Sequence, residues 1–463
     1  MIDRPLFISP LDPGYLPAAL WNRAYRQRCA ADPGARPLAL ALVRTDGGVS
    51  RFDTRVLSAT AQNTVLNERY VERLAKFLLW ARGGGRLIVG GPAELAASLA
   101  QTYAPEGERS FDHQFLGEKV YGQPFTVEAC AFEAVPAERE GTVALGRHLD
   151  GCRIGFDLGG SDRKCAAVVN GECVFSEEVV WDPYFQSDPQ YHYDGINDSL
   201  RRAAAHLPRV DAIGGSAAGV YVNSEVRAGS LWRGISPQDF ERRVRGIFFE
   251  LQMEWGSVPF EVANDGEVTA LAGSMSSGKN GVLGVAMGTS VAAGYVTQSG
   301  AITPWLNELA FVPVDYRADA PRDEWSGDAG CAVQYFCQQG VARLAPHAGL
   351  IFPAGMKFAE QLVEVQKLMA AGDERARRIY ETLGICFGYA VAHFADFYEI
   401  QEVLVLGRVT SGPGGEILLE KSREVLEREF PEVAAQIQLR MPSEQDKRLG
   451  QAVAAASLPS LQR

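Results

Sequence analysis

Four short stretches of the chain carry residue types suited to moving a phosphoryl group. Asp157-Leu158-Gly159-Gly160-Ser161-Asp162 puts an aspartate at a strand end and two glycines in the turn after it. Glycine turns expose backbone N–H groups that can wrap phosphate oxygens. The aspartate there can hold a metal-bound water. Asn264-Asp265 ends another strand. Ligand sites in α/β sheets gather outside strand carboxyl ends, and a carboxylate there can accept a hydroxyl proton during phosphoryl transfer. Gly288-Thr289-Ser290, followed by Gly294, is a second glycine turn, with hydroxyls that reach phosphate. Gly407-Arg408 with Ser411-Gly412 follows a buried strand, where backbone can pass close to a flat purine. Taken singly, each stretch has a plainer reading. The glycine stretches are also what ordinary turns and loops look like, and Asn-Asp is also a helix N-cap.

The elements around these stretches give them an order. Residues 153–157 form an apolar strand and 164–169 a second. Asn170-Gly171 is the strongest short hairpin signal, and 172–181 gives a third strand. A helix through 200–207 leads to the glycine-rich 214–219. Ser236-Pro237-Gln238-Asp239 has the serine, proline and acid of a helix start. Strand 259–263 ends at Asn264-Asp265, with a helix from near Glu267. Strands 282–287 and 291–296 flank Gly288-Thr289-Ser290. Helices dominate 328–398, then come a buried strand at 403–406 and a helix from Glu416.

Residues 1–150 read as a separate α+β unit. Strands 37–43 and 49–56 make a hairpin around Thr45-Asp46-Gly47-Gly48. Tyr70, Val71, Leu74, Phe77 and Leu78 share one helical face, and Gly83-Gly84-Gly85 stops that helix. Strand 86–89 then runs through Gly90-Gly91-Pro92 into another helix. That junction reads either as an anion site at a helix N-terminus or as a tight turn, and no chemistry is assigned to the unit.

The chain has 463 residues, enough for two or three domains. Hydrophobic residues make up 46% and charged residues 22%, a globular composition, so long-range disorder is not expected. The net charge of −12 disfavours a broad nucleic-acid surface, which needs clustered Lys and Arg. The eight cysteines contain no CxxC pair, so no zinc knuckle or dithiol motif is read. The N-terminus lacks the apolar core of a leader, and no apolar run approaches the ~18 residues of a membrane span. A cytoplasmic protein without membrane partners is the expectation.

The order strand-DxGG-strand-strand, strand-ND-helix, strand-GT-strand, strand-G-turn-helix resembles the superfamily of actin, hexokinase and the heat-shock chaperone ATPases. Within it the chain is similar to the ROK family of bacterial sugar kinases and related regulators, over roughly 151–463. Residues 155–160 look like the family's first phosphate motif, and 214–222 with Gly234 look like its approach to the sugar. Asn264-Asp265 matches its catalytic pair, Gly288-Thr289-Ser290 its second phosphate loop, and 407–412 its adenosine-side turn.

The resemblance implies an α/β, two-lobed actin-like (ribonuclease H-like) fold with an extra N-terminal α+β domain. The lobes would be 151–262 and 263–463. ATP with Mg²⁺ would sit between them, against Gly159, Gly160, Ser161, Lys164, Gly288, Thr289, Ser290, Gly407, Ser411 and Gly412. Asp157 would orient Mg²⁺ through water, Asp265 would be the catalytic base, and Asn264 and Glu308 would position a sugar. Partners would be a small sugar and a nucleotide, with a homodimer as the assembly to test.

The chain also departs from the family pattern. The family's Gly-Glu-x-Gly-His becomes Asn307-Glu308-Leu309-Ala310-Phe311, with Phe311 in place of a zinc-binding histidine. Its cysteine-rich zinc loop becomes Ser326-Gly327-Asp328-Ala329-Gly330-Cys331-Ala332-Val333, with one cysteine left. A structural zinc needs about four ligands, so none is expected. Val333 stands where a second sugar-binding glutamate would be. Two other functions stay open: a non-catalytic sugar sensor, and a degenerate kinase fold kept for regulation or protein contact.

Overall fold

The computed structural model describes residues 4–140 and 145–461. Three of the four sheets among the described residues organise it. The first has five strands in the order Glu172–Val180, Asp162–Val169, Cys152–Leu158, Ala212–Ala217, Phe260–Asn264. The first three are antiparallel and the last three parallel. The second has four strands: Val291–Val296, Val282–Met287, Glu402–Leu406 and Gln438–Arg440. Only its first pair is antiparallel. The two sheets follow the same ribonuclease H-like plan. In the second, the strand after Val291–Val296 shrinks to one bridge between Val296 and Ile302. These sheets are the cores of the two expected lobes.

Two helices tie the lobes together. Helix Asp265–Ser277 leaves the last strand of the first sheet and lies on the second. Its fit is close: a Cβ on Gly294 would stand 2.3 Å from the Gly266 carbonyl oxygen and the Glu267 Cα. Helix Glu444–Ala456 returns from the second lobe and packs on the first sheet. Cβ atoms on Gly155 and Gly214 would lie 1.7 and 1.8 Å from the carbonyl oxygens of Ala452 and Ala455. These two glycines, expected in ligand loops, are therefore occupied by helix packing. The 263–463 lobe also gives its last helix to the other lobe's sheet.

The third sheet lies in the N-terminal region, with strands Val49–Val56, Arg36–Val43, Arg86–Gly90 and Thr126–Cys130 in that order. Helix Ala61–Arg82 is capped by Thr60 at one end and stopped by Gly83, at φ 74°, at the other. At the Gly90-Gly91 junction a Cβ on Gly91 would meet the Pro37 carbonyl oxygen at 2.6 Å, which accounts for the glycine as a tight turn.

The N-terminal region is not separate in its core. One hydrophobic cluster runs from Leu11 and Trp21 through Phe77 and Trp80 to Leu283, Phe387 and Leu439. Phe77 stacks on Phe397 with centroids 3.9 Å apart. Arg26 makes two bonds to Asp396, at 2.9 and 3.1 Å. Ala18 N–H donates to the Val314 carbonyl, and Tyr316 N–H to that of Leu16. A hairpin-and-helix pattern reads as a unit of its own in sequence, but its apolar faces are completed by the second lobe.

The helix expected at 200–207 runs Pro189–Ala204, because Asp188 caps it and Pro189 starts it. No helix among the described residues is long and apolar enough to cross a membrane.

Candidate functional site

The parallel ladder of the first sheet sets one wall of the site. Asp157 pairs with Ser216 across one strand boundary, and Asn264 with Ala217 across the next, so both face out at strand carboxyl ends. Asp157 is 5% exposed and accepts a 2.7 Å hydrogen bond from the Ser216 hydroxyl. Burial pushes its carboxyl up to about 6. Ser216 and Lys164 pull it partly back, while the charges of Asp265 and Asp162 add to the rise.

Asn264, not Asp265, is the N-cap of helix Asp265–Ser277. Its Oδ1 accepts from Gly266 N–H at 2.7 Å, and its Nδ2 donates to the Gly219 carbonyl at 2.7 Å. Asp265 is the first helical residue, and its Oδ1 accepts from Gly266 N–H at 2.9 Å. Burial raises its carboxyl above the ordinary value, and backbone N–H groups oppose the rise. Gln451 of the returning helix donates to the Asp265 carbonyl at 3.2 Å and also to the Thr269 hydroxyl.

The opposite wall comes from Asn307 and Glu308. The Asn307 side-chain N–H donates to Glu267 at 3.4 Å. Burial pushes Glu267 up to about 8; the bonds from Asn307 and the Asn264 backbone oppose this, and Glu308 and Asp265 reinforce it. Burial and then the Asp265 charge push Glu308 up to about 7. Four carboxyls therefore converge, all of them raised. Asp265, beside a cap and a strand end, is suited to take a proton, and Glu308 to accept hydrogen bonds from hydroxyls.

The glycine turns differ. At Gly288-Thr289-Ser290 the backbone closes with Gly288 N–H to the Ser290 carbonyl at 2.9 Å. A Cβ on Gly288 would meet only one atom within 4 Å, that Ser290 carbonyl oxygen at 3.9 Å, and both hydroxyl residues are exposed. Gly407 lies against this turn: at φ 103°, its Cβ would come within 2.5 Å of the Met287 carbonyl oxygen. Ser411 and Gly412 are exposed, and Gly412 has open space at φ 74°. This side leaves room and donors for phosphates and a flat base.

The first turn is more crowded. A Cβ on Gly160 would fall 1.9 Å from the Tyr184 hydroxyl, whereas Gly159 meets only Asp162. The Ser161 hydroxyl donates to Asp162 at 2.9 Å. Lys164 pairs with Asp162 at 3.3 Å and approaches Glu178 at 3.9 Å. Burial draws its ammonium down, but Asp157 and Asp162 hold it above the ordinary value. Ser161 and Lys164 are thus already engaged within the protein. The second turn has open space beside it, and among the described residues no group of three or more His, Cys, Asp or Glu is placed to hold a metal ion.

Sequence reading missed Glu267, Asn307, Ser216 and Tyr184. Asn-x-x-Glu from Asn264 is the spacing of a capping box and was the available signal for Glu267. A cavity of about 980 Å³ lined by Lys279, Tyr398, Glu399 and Gln438 includes none of these residues.

Comparison with solved structures places this architecture. A ROK hexokinase from Thermus thermophilus superimposes with a TM-score of 0.51 at 20% identity, over 66% of this chain and 97% of that one. A ROK family transcriptional regulator, a homologue of E. coli Mlc, gives 0.53 at 18% identity, over 70% and 82%. The chain has the ROK fold. No protein-family model matches its sequence, and no curated protein does.

Proposed function

We propose that this protein belongs to the ROK family and transfers the γ-phosphoryl group of ATP to a sugar hydroxyl. The observation that carries this is Asp265 at the first turn of a helix already capped by Asn264, with its carboxyl raised and Glu308 facing it. Asn264 already supplies the cap, so Asp265 is not needed as the N-cap residue. Backbone at Gly288-Thr289, with Gly159, would hold phosphates, and Gly407, Ser411 and Gly412 would flank the base. Asp157 would hold Mg²⁺ through water, and the cation would neutralise phosphate charge. Asn264 and Glu308 would orient the sugar, and Asp265 would take its hydroxyl proton as the oxygen attacks.

A second reading, a non-catalytic sugar-binding protein, is favoured by one feature: Tyr184 stands where the Gly160 side of the first turn would meet phosphate. An ATP-consumption and melting screen over hexoses, amino sugars and N-acetyl sugars separates the two. The kinase reading expects ADP release that depends on one sugar class. Melting shifts without any ADP release would establish the binding protein instead.

A further inference from the structure

The last four carbonyls of a helix have no partner within it. In helix Ala61–Arg82 the Leu79 carbonyl takes Gly83 N–H at 2.9 Å. The next two are satisfied from far along the chain: Glu308 N–H donates to the Trp80 carbonyl and Asn307 N–H to that of Ala81, both at 3.0 Å. The substrate-facing turn is thus the C-terminal cap of an N-terminal helix. Asn307 sits at φ 51°, a left-handed conformation that Asn adopts more readily than most residues. Its side chain is fixed at both ends, accepting from the Tyr398 hydroxyl at 3.0 Å and donating to Glu267.

Side chains of the same helix hold the flanking segments. Trp80 stacks on Phe311 with centroids 4.2 Å apart. Its Nε1 donates to Asp112 at 3.0 Å, and Asp112 also takes Lys76 at 2.7 and 2.8 Å. Asp328 is gripped by Arg109 at 2.8 Å and Arg73 at 3.2 Å, with Lys76 at 3.7 Å. Glu72 pairs with Arg73 and Arg109. Three cations face three anions. Burial alone would raise Asp328, but the three cations hold its carboxyl down near about 2.

We propose that helix Ala61–Arg82 is the positioning element for Glu308, so that the N-terminal region sets the sugar side of the cleft. This rests on Glu308 being a sugar ligand, but the docking itself can be tested without any sugar. Hydrogen exchange on the whole protein should find the Asn307 and Glu308 amides as protected as the body of the helix. Phe311→Ala should speed exchange at those two amides by about tenfold or more, leave Gly266 and Glu267 unchanged, and be rescued by Phe311→Tyr.

With D-glucose, D-glucosamine or N-acetyl-D-mannosamine, Phe311→Ala should raise the sugar KM about tenfold, while kcat and ATP affinity change less than about threefold. Wild-type amides at Asn307 and Glu308 that exchange like open loops would overturn the docking, even if Phe311→Ala fails to fold. Loosened amides with an unchanged sugar KM would overturn the positioning. If wild type binds none of the three sugars, the kinase reading fails, and the exchange result alone judges the docking.

Discussion

The two walls of the candidate site each present raised carboxyls, but they are fastened in different ways. Asp157 and Asn264 stand at the ends of parallel strands on either side of strand Ala212–Ala217, and the ladder that pairs Asp157 with Ser216 and Asn264 with Ala217 fixes their places. Glu308 stands in an irregular turn that no sheet holds. It is fixed by a helix from the other end of the sequence and by a buried, charge-balanced cluster around Asp328. The first wall is built from local pattern plus register. The second is built from long-range complementarity, and there a single lost partner strands buried charge.

That contrast sets the largest expected effect. Asp328→Asn leaves three buried cations against two anions and should destabilise by about 3–5 kcal/mol. Asp162→Asn in the first glycine turn removes a partly exposed partner of Lys164 and should cost under about 1 kcal/mol. Denaturant midpoints compare the two variants, and equal costs would erase the distinction.

A smaller effect is expected at the open turn. Gly288→Val adds bulk where only the Ser290 carbonyl comes within 4 Å. Stability should change by less than about 0.5 kcal/mol, while ATP affinity falls by about tenfold or more, ~1.4 kcal/mol. Calorimetry that finds unchanged ATP affinity in this variant would remove the turn from the nucleotide site.

The smallest effect is in pH dependence. Glu267 holds its proton up to about 8 when folded, against ~4.3 for an unperturbed carboxyl. The folded state thus binds more protons between those values. The stability this contributes is full below the unfolded value and is lost as pH rises through about 8. Glu267→Gln mimics the protonated form. It should match the wild-type Tm near about pH 5 and exceed it by about 2 °C or more near pH 9. Equal melting at both values would mean that Glu267 is not raised.

Much of the first wall was legible in sequence, with Asp157 and Asn264 read from strands that end in polar residues, and in the second sheet strands 282–287 and 291–296 follow from apolar runs around a glycine turn. The role of Gly155 and Gly214 was not, because a glycine that admits another backbone looks the same in sequence as one that admits a ligand. Glu308 was singled out through family resemblance, but the helix that holds its turn was not. The Phe311 ring and the Asp328 carboxylate gain meaning only beside Trp80 and Arg109, which sequence separation conceals.

The proposed phosphoryl transfer needs Asp265 as its base. Asp265→Asn keeps the shape of the side chain but cannot accept the proton, and Asn264 still caps the helix. With the sugar that wild type phosphorylates, kcat should fall by about 10²–10⁴, with ATP affinity and Tm unchanged. A folded Asp265→Asn protein within about threefold of wild-type kcat, well short of that loss, would contradict the assignment.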